Sequence, residues 1–428
     1  MNKKSKRSAS KRQPGRRRSR KKETKADSPR LTVRNFREQL REVLLAQIRR
    51  SVAAMARQLV EDEVQSLVGK PWSRKGDSPL RRGGSTETRI FLGGEPVILQ
   101  RTRVRDQEAN TEHPLETLDA LRSRDALDEE VKGLLIRGVS TRNYEGALTN
   151  LSEGLGLKRS AVSSAFGRAS QKDLDALNGR SLEGWSFVAI FIDGITFKDH
   201  TCVAALGVEL NGTKRILGVR EGATENAALV NDLLANLDER GLSLPSRALV
   251  IIDGSKALRS AVRKAFGRQA VVQRCVHHKR RNVVSYLPKK WQSETKRRLS
   301  AAWAMTGYEE AKEELLKVHA WLKGLNESAA GSLSEGMEET LTIHRLGITG
   351  SLRRTLNSTN PIESAFDTVT EHAHRVKRWS GSSMVMRWVG SGLVRAEAQF
   401  RRVRGYRAIP KLVAALESLT LTDTKEVA

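Results

Sequence analysis

Between Val33 and about Val68 apolar residues recur every three or four positions: Phe36, Leu40, Val43, Leu44, Ile48, Val52, Met55 and Leu59 form one stripe, which predicts a docked helix. Further on the period shortens. Arg89-Ile-Phe-Leu and Pro96-Val-Ile-Leu, separated by Gly93-Gly94-Glu95, predict a short hairpin, and residues 104–114 are polar and loop-like. Three helical patterns follow between 129 and 175, the middle one opening at Ser140 as N-cap and the last carrying Ala161, Val162, Ala165 and Phe166. The turn Glu153-Gly154-Leu155-Gly156 joins helices. A helix beginning Lys158-Arg159-Ser160 after such a turn predicts a helix-turn-helix whose second helix reads a DNA major groove. Its candidate contacts are Lys158, Arg159, Ser160, Ser163, Ser164 and Arg168. The plainer alternative is a pair of helices packed in a core.

From Trp185 onward strands and helices alternate: Phe187–Ile192, Cys202–Val208, Arg215–Val219, a helix over 224–239, Ala248–Ile252, a helix over 256–266, and Ala270–Gln273. This is α/β. Two of the strands are apolar on both faces, as central strands covered by helices must be. Three meandering strands and then helix, strand, helix, strand is the order of a ribonuclease-H-like mixed sheet. Residues 289–350 turn helical and polar, with Trp303, Leu315, Leu316, Val318, Trp321 and Leu322 as apolar positions, and predict a helical insertion. The expected divisions are a basic arm over 1–32, a helix and hairpin region over 33–115, a helix-turn-helix domain over 116–180, and an α/β domain over 181–288 and 351–428, interrupted by the insertion.

A chain of 428 residues has room for about three such domains. Its net charge of +27 changes the picture more. Such a surface attracts polyanions and argues against a cationic partner, so nucleic acid is the default. Residues 1–30 hold fourteen Lys and Arg against Glu23 and Asp27 and too little apolar matter for a core, which predicts a disordered arm. The rest of the chain is still basic. No apolar run reaches the roughly 18 residues of a membrane span, so no membrane role is expected. Two cysteines, Cys202 and Cys275, make no disulfide framework, and a reducing intracellular compartment is expected.

Two of the apolar strands end alike, in Phe191-Ile-Asp193-Gly194 and Ile251-Ile-Asp253-Gly254. Each Asp taken alone caps a turn as readily as it serves chemistry. Paired carboxylates at the carboxyl ends of neighbouring strands repel each other, however, and a divalent cation relieves that repulsion. With no Cys/His cluster nearby, Mg²⁺ or Mn²⁺ fits best. A third carboxylate is offered by Asn360-Pro361-Ile362-Glu363, where Asn360 is the expected N-cap and Glu363 the third helical residue. A capping box would also place a Glu there, and Asp367 and Glu371 share its face. Spacing does not choose among the three.

The array as a whole resembles the Mutator-type transposases of the insertion sequence 256 family. The resemblance rests on Asp193-Gly194, Glu221-Gly-Ala-Thr-Glu-Asn226, Arg240-Gly-Leu242, Asp253-Gly-Ser-Lys-Ala-Leu258, Gln273-Arg-Cys275-Val-His-His278-Lys-Arg-Arg-Asn282 and Leu356 to Glu363. It continues through Arg375-Val-Lys-Arg-Trp379 and Phe400-Arg-Arg-Val-Arg-Gly-Tyr406. The resemblance implies a DDE triad of Asp193, Asp253 and Glu363 holding two Mg²⁺ or Mn²⁺ ions, with Asp193 shared between them. It implies strand cleavage that frees a 3′-hydroxyl, then attack of that hydroxyl on target DNA. Double-stranded DNA is the implied partner, as terminal inverted repeats and as target, with a homo-oligomer assembled on it in a prokaryotic cytoplasm, at the nucleoid. The family's Cys-x-x-His element falls on Cys275 and His278. Four-coordinate zinc lacks ligands there, so a structural or DNA-adjacent role is expected.

The final hundred residues interleave Arg375, Lys377, Arg378, Arg387, Arg401, Arg402, Arg404 and Arg407 with Trp379, Trp388, Phe400 and Tyr406. The basic side chains suit phosphates, whereas Val385, Trp388, Val389, Gly392 and Ala396 form a core stripe, so the aromatics are expected to be mostly structural. Trp303 and Trp321 are both candidates for an insertion Trp at the transposon end. Two other classes remain open: a transposase-derived DNA-binding regulator without catalysis, and a nuclease of the same fold.

Overall fold

In a computed structural model the described residues are 33–72, 78–92, 95–123, 125–137, 159–197, 199–222, 226–244, 247–374, 376 and 378–426. The chain divides into two compact units, one holding Val97–Thr117 with residues up to Thr88, the other Arg89–Pro96 with Leu118 onward.

The first unit is built on α1 (Val33–Val68) and a sheet of β1 (Leu80–Leu92), β2 (Glu95–Asp106) and β3 (Thr111–Glu112), in that order. The buried row of α1 is Ala56, Val60, Val64 and Val68. Phe36, Leu40, Val43, Leu44, Val52, Met55 and Leu59 of the expected stripe are instead exposed. Periodicity identifies a stripe but not the one that is covered, and here Glu61 turns the Ala/Val row toward the sheet by bonding Arg82 and Thr102. The hairpin is also longer than expected, and 104–114 is not simply loop. β2 runs on through the fully buried Val104, and the chain returns to pair Arg105 with Glu112. Asp106 accepts the turn's amides, from Glu108 and Ala109, at 3.0 Å each.

The second unit is mixed α/β. Its sheet comprises β4 (Phe187–Phe197), β5 (His200–Glu209), β6 (Lys214–Gly222), β7 (Ala248–Ile252) and β8 (Ala270–Arg274), ordered β6-β5-β4-β7-β8. β4, β5 and β6 are antiparallel neighbours, while β4, β7 and β8 run parallel. Alternate residues of the central strands go to opposite faces. On one face Ile190, Ile192, Val250 and Ile252 pack under α5 (Ala227–Glu239) and α6 (Lys256–Phe266), through Val230, Leu233, Leu237 and Leu258.

After β8 come α7 (Val276–Ser285), α8 (Lys289–Ala304), α9 (Tyr308–Lys323), α10 (Glu327–Ser334) and two short helices, α11 (Met337–Thr340) and α12 (Thr342–Arg345). They have a core of their own, of Val283, Leu287, Leu299, Trp303, Leu315, Val318 and Leu322; Leu316 is exposed. The indole N–H of the buried Trp303 donates to Thr340 Oγ1 at 3.1 Å. Trp303 is therefore packed as a core residue. Trp321 packs edge-on against Trp291 with Arg298 over its ring.

The chain then returns through α13 (Gly350–Leu356), α14 (Asn360–Ala373), α15 (Ser382–Ala398) and α16 (Ile409–Glu426). These cover the other face of the sheet, where Ala189, Phe191, Ala204, Leu206, Leu249 and Ile251 meet Leu352, Ile362, Phe366, Val389 and Leu412. Truncating Phe191 there would cost about 3–5 kcal/mol. Ahead of the sheet lie α3 (Asp125–Ile136), preceded by α2 (Glu116–Arg122), and α4 (Arg159–Gly179). Val131, Leu135 and Ile136 of α3 meet Val162, Ala165 and Phe166 of α4, and Leu174 and Leu177 carry α4 on into the sheet core. Ser140, the Glu153–Gly156 turn and Lys158 lie outside the described residues.

Candidate active site

β4 and β7 lie in register, Ile190 opposite Val250 and Ile192 opposite Ile252. The next residue in each case is an aspartate, but only Asp253 follows a strand end as expected: Asp193 lies inside β4, which stays paired with β5 as far as Phe197. Asp193 and Asp253 therefore stand side by side at the carboxyl end of β7, on a backbone pinned by fully buried isoleucines. Asp193 is buried, and its Oδ1 accepts the Gly194 amide at 2.9 Å. Asp253 Oδ1 accepts the Ser255 amide at 2.6 Å, and Ser255 caps α6 by accepting from Leu258. The sharp turn between them needs Gly254, whose φ is +101°.

Two helix N-termini close the crevice. The Cys275 amide donates to the Ile252 carbonyl at 2.8 Å, and the Val276 amide to Asn357 at 3.0 Å, which ties the start of α7 to the segment ahead of α14. The N-cap of α14 is Thr359 rather than Asn360, so Pro361 is the second helical residue and Glu363 the fourth. Both residues are good caps, and the helix begins one position earlier. No capping box forms: the Thr359 amide donates to Cys275 Sγ at 3.4 Å, and the Glu363 amide makes an ordinary helical bond to the Thr359 carbonyl. The Glu363 carboxylate accepts the Thr359 hydroxyl at 2.5 Å and lies 3.7 Å from His278 Nδ1. Asp367 and Glu371 are exposed farther along α14, so of the three acids that share the helix face it is Glu363 that meets the crevice.

Burial, above all, pushes the Asp193 carboxyl up to about 7; His278 opposes the shift and neighbouring Asp253 adds to it. His278 is lifted to about 9, first by its hydrogen bond with Cys275 and then by Asp193 and Glu363. Burial raises the Cys275 thiol, but hydrogen bonds from His278 and Thr359 outweigh it and leave the thiol below its ordinary range. Asp193 and Glu363 thus face one imidazolium, with Asp253 beside Asp193, in a partly dry crevice. That excess of negative oxygen suits a hard divalent cation. Cys275, His278 and Glu363 also place ligand atoms within 4.8 Å of one another. The Thr359 hydroxyl, however, stands among them, 3.4 Å from the sulfur and 3.3 Å from the His278 nitrogen, and it fills the space an ion would take.

Beside the crevice is a pocket of about 260 Å³, lined by His277, Arg280, Trp303, Arg353, Arg354 and Asn357 among others. Arg353 is fixed by the Ala304 and Met305 carbonyls, Arg280 by Ser300, while Arg354 is exposed. Sequence reasoning singled out neither these arginines nor Thr359. Arg280 sits within the Gln273–Asn282 motif, and Thr359 likewise lies within the Leu356 to Glu363 segment, four residues before Glu363.

The other expected DNA contacts are spread along the chain. Ser163 and Ser164 are exposed on α4. Arg168 is held in a two-pronged ion pair with Asp128, at 2.7 Å for each bond. Arg159 and Ser160 begin α4 with side chains outside the described set, as are Arg375 and Lys377. Arg378, Arg401, Arg402, Arg404 and Arg407 are exposed. The aromatics among them are packed: Trp388 on Phe166, Trp379 on Phe197, Phe400 under Lys214, Tyr406 beside Arg402.

A mixed sheet that gathers carboxylates beside the end of its central parallel strand, in a strongly basic chain, belongs with proteins that act on polyanions. Comparison with known proteins is more specific. The profile described as "Transposase, Mutator family" matches residues 21–403, and the chain belongs to that family. It is 26% identical over 303 residues to the transposase for insertion sequence element IS6120 of Mycolicibacterium smegmatis, covering 68% of this chain and 90% of the relative. It is 26% identical over 297 residues to the ISRM5 transposase of Rhizobium meliloti, covering 67% and 72%. With the transposase for IS256 in transposon Tn4001 of Staphylococcus aureus it shares 24% over 348 residues, covering 79% and 86%. Transposases act on DNA, and this family generally uses divalent metal. No helix of the described residues is long and apolar enough to cross a membrane.

Proposed function

We propose that this chain binds the terminal inverted repeats of its own insertion sequence and catalyses DNA strand cleavage and strand transfer by a DDE mechanism, with Asp193, Asp253 and Glu363 as the ligands of two divalent ions, Mg²⁺ or Mn²⁺. The observation that carries this reading is positional. Two aspartates directly follow a paired position on adjacent parallel strands, and a glutamate from a helix 110 residues later reaches the same crevice. The strand order, three antiparallel strands and then two parallel ones, supports a ribonuclease-H-like sheet.

Bound divalent ions would supply Lewis-acid activation of water and then of a 3′-hydroxyl, and would offset charge at the phosphate in each in-line displacement. The protein's own part is placement. Buried β4 and β7 fix the spacing of the aspartates, and a carboxyl whose pKa is lifted by burial gains most from a cation beside it. Arg280 and Arg354, next to the crevice, are placed to take DNA phosphates. The α3 and α4 pair, with Ser163, Ser164 and Arg168 on α4, would carry repeat recognition, and Arg378, Arg401 and Arg402 would add backbone contacts.

The test combines purified full-length protein, duplex carrying the element's own end, Mg²⁺ and a plasmid target. Joined product is expected, and chelation with EDTA abolishes it. Cleavage without joining would instead make the chain a nuclease, and a shifted band without cleavage a regulator.

A further inference from the structure

We propose that Thr359 is a positioning residue: with its amide tied to Cys275 and its hydroxyl to His278, that hydroxyl holds the Glu363 carboxylate in the orientation that receives a divalent ion. The inference rests on the reading of Asp193, Asp253 and Glu363 as ion ligands.

Thr359 is fully buried, whereas the Glu363 side chain is 34% exposed and has three rotatable bonds to fix. The immobile residue therefore holds the mobile one. A threonine hydroxyl has one proton and two lone pairs. It lies 2.5 Å from Glu363 Oε1, 3.3 Å from His278 Nδ1 and 3.4 Å from Cys275 Sγ, and Asp193 is also within its hydrogen-bonding reach. The single proton goes to Glu363 rather than to the farther Cys275 sulfur or to Asp193, because 2.5 Å is the distance of a charge-assisted O–H···O⁻ bond. That leaves a lone pair to accept the His278 N–H. The backbone is pinned as well, since the Thr359 amide donates to the same sulfur. Cys275 and His278 on the first turn of α7, and Thr359 and Glu363 on the first turn of α14, thus form one relay across two helices that are distant in sequence. This gives the Cys-x-x-His element a task without a metal of its own. It sets the tilt of a hydroxyl that sets the tilt of a carboxylate, and outer partners of this kind are worth about 10- to 100-fold in metal affinity.

The experiment titrates Mn²⁺ into full-length wild-type, Thr359→Val, Thr359→Ser and Glu363→Gln proteins and reads the ion midpoint by thermal shift, without DNA. Thr359→Val keeps shape and loses the donor, and should raise the midpoint about 10-fold or more, while Thr359→Ser stays within about threefold of wild type. Melting without metal should remain close to wild type for both. Should the valine variant fail to fold, Thr359→Ala gives the same reading. A wild-type midpoint for the valine variant, alongside a raised one for Glu363→Gln, overturns the positioning role alone. A serine variant as impaired as the valine one also overturns it, since the methyl would then be what matters. An unchanged midpoint for Glu363→Gln overturns the ligand reading and the positioning role with it.

Discussion

Two clusters of buried charge lie on either side of the step from β8 to α7, and they are built on opposite plans. On one side Arg274, only 3% exposed, bonds Glu339 at 2.5 Å; Glu339 also takes Arg259, and the Lys279 ammonium donates to the Ser332 and Glu335 carbonyls. Each charge there has its counter-charge or its dipoles within the protein. On the other side Asp193 and Glu363 share a single imidazolium with Asp253 beside them, and the Asp193 carboxyl is driven up to about 7. A structural cluster neutralises itself, whereas the crevice leaves negative charge for something that arrives from solution.

The sharpest way to break this contrast is Asp193→Asn. It should lower strand cleavage by at least about a thousandfold, well beyond the loss of an outer partner, and leave DNA binding in a gel shift nearly unchanged. Its stability effect should run the other way. Below the unfolded carboxyl's pKa of 3.8 both states hold the proton; as pH rises through about 7 the unfolded chain releases it first, and the wild type loses stability. In metal-free buffer Asp193→Asn should therefore be more stable than wild type above pH 7 by about 2 to 4 kcal/mol, and the gain should vanish near pH 4. Denaturant unfolding at the two pH values checks this, and a uniform loss of stability would contradict it.

Glu339→Ala, in the self-neutralised cluster, should do the reverse. It leaves the buried Arg274 only its longer pair with Glu335, at 3.7 Å, and should cost about 3 kcal/mol of unfolding free energy, with no change in Mn²⁺ midpoint. A smaller effect is expected at the basic surface. Arg401→Ala and Arg402→Ala should each reduce the slope of log affinity against log salt by about one and weaken all DNA sequences alike. The smallest concerns Trp303. Replacement by Phe removes the donor to Thr340 and should cost about 1 kcal/mol in stability while leaving DNA affinity intact; a clear loss of affinity would place that face on DNA after all.

Much of the sheet was legible because β4 and β7 are buried on both faces and read as apolar runs up to Asp-Gly, although β4 continues past Gly194 to Phe197 and only β7 stops there. The start of α14 was off by one residue because Thr359 and Asn360 cap equally well on local grounds. In α1 the chain shows several apolar rows, and the long side chains of Phe36 and Leu40 mark the exposed one, while the modest row from Ala56 to Val68 does the packing. The role of Thr359 could not be read from the chain at all. It depends on Cys275, 84 residues away, and no local pattern records that two helix starts will meet.

The central claim is that Asp193, Asp253 and Glu363 together bind divalent metal. Calorimetric titration of Mn²⁺ into the full-length protein tests it most directly, with Asp193→Asn and Asp253→Asn in parallel. Saturable binding to wild type, weakened at least about tenfold in each variant, is the predicted result. Equal affinity in all three proteins would contradict it.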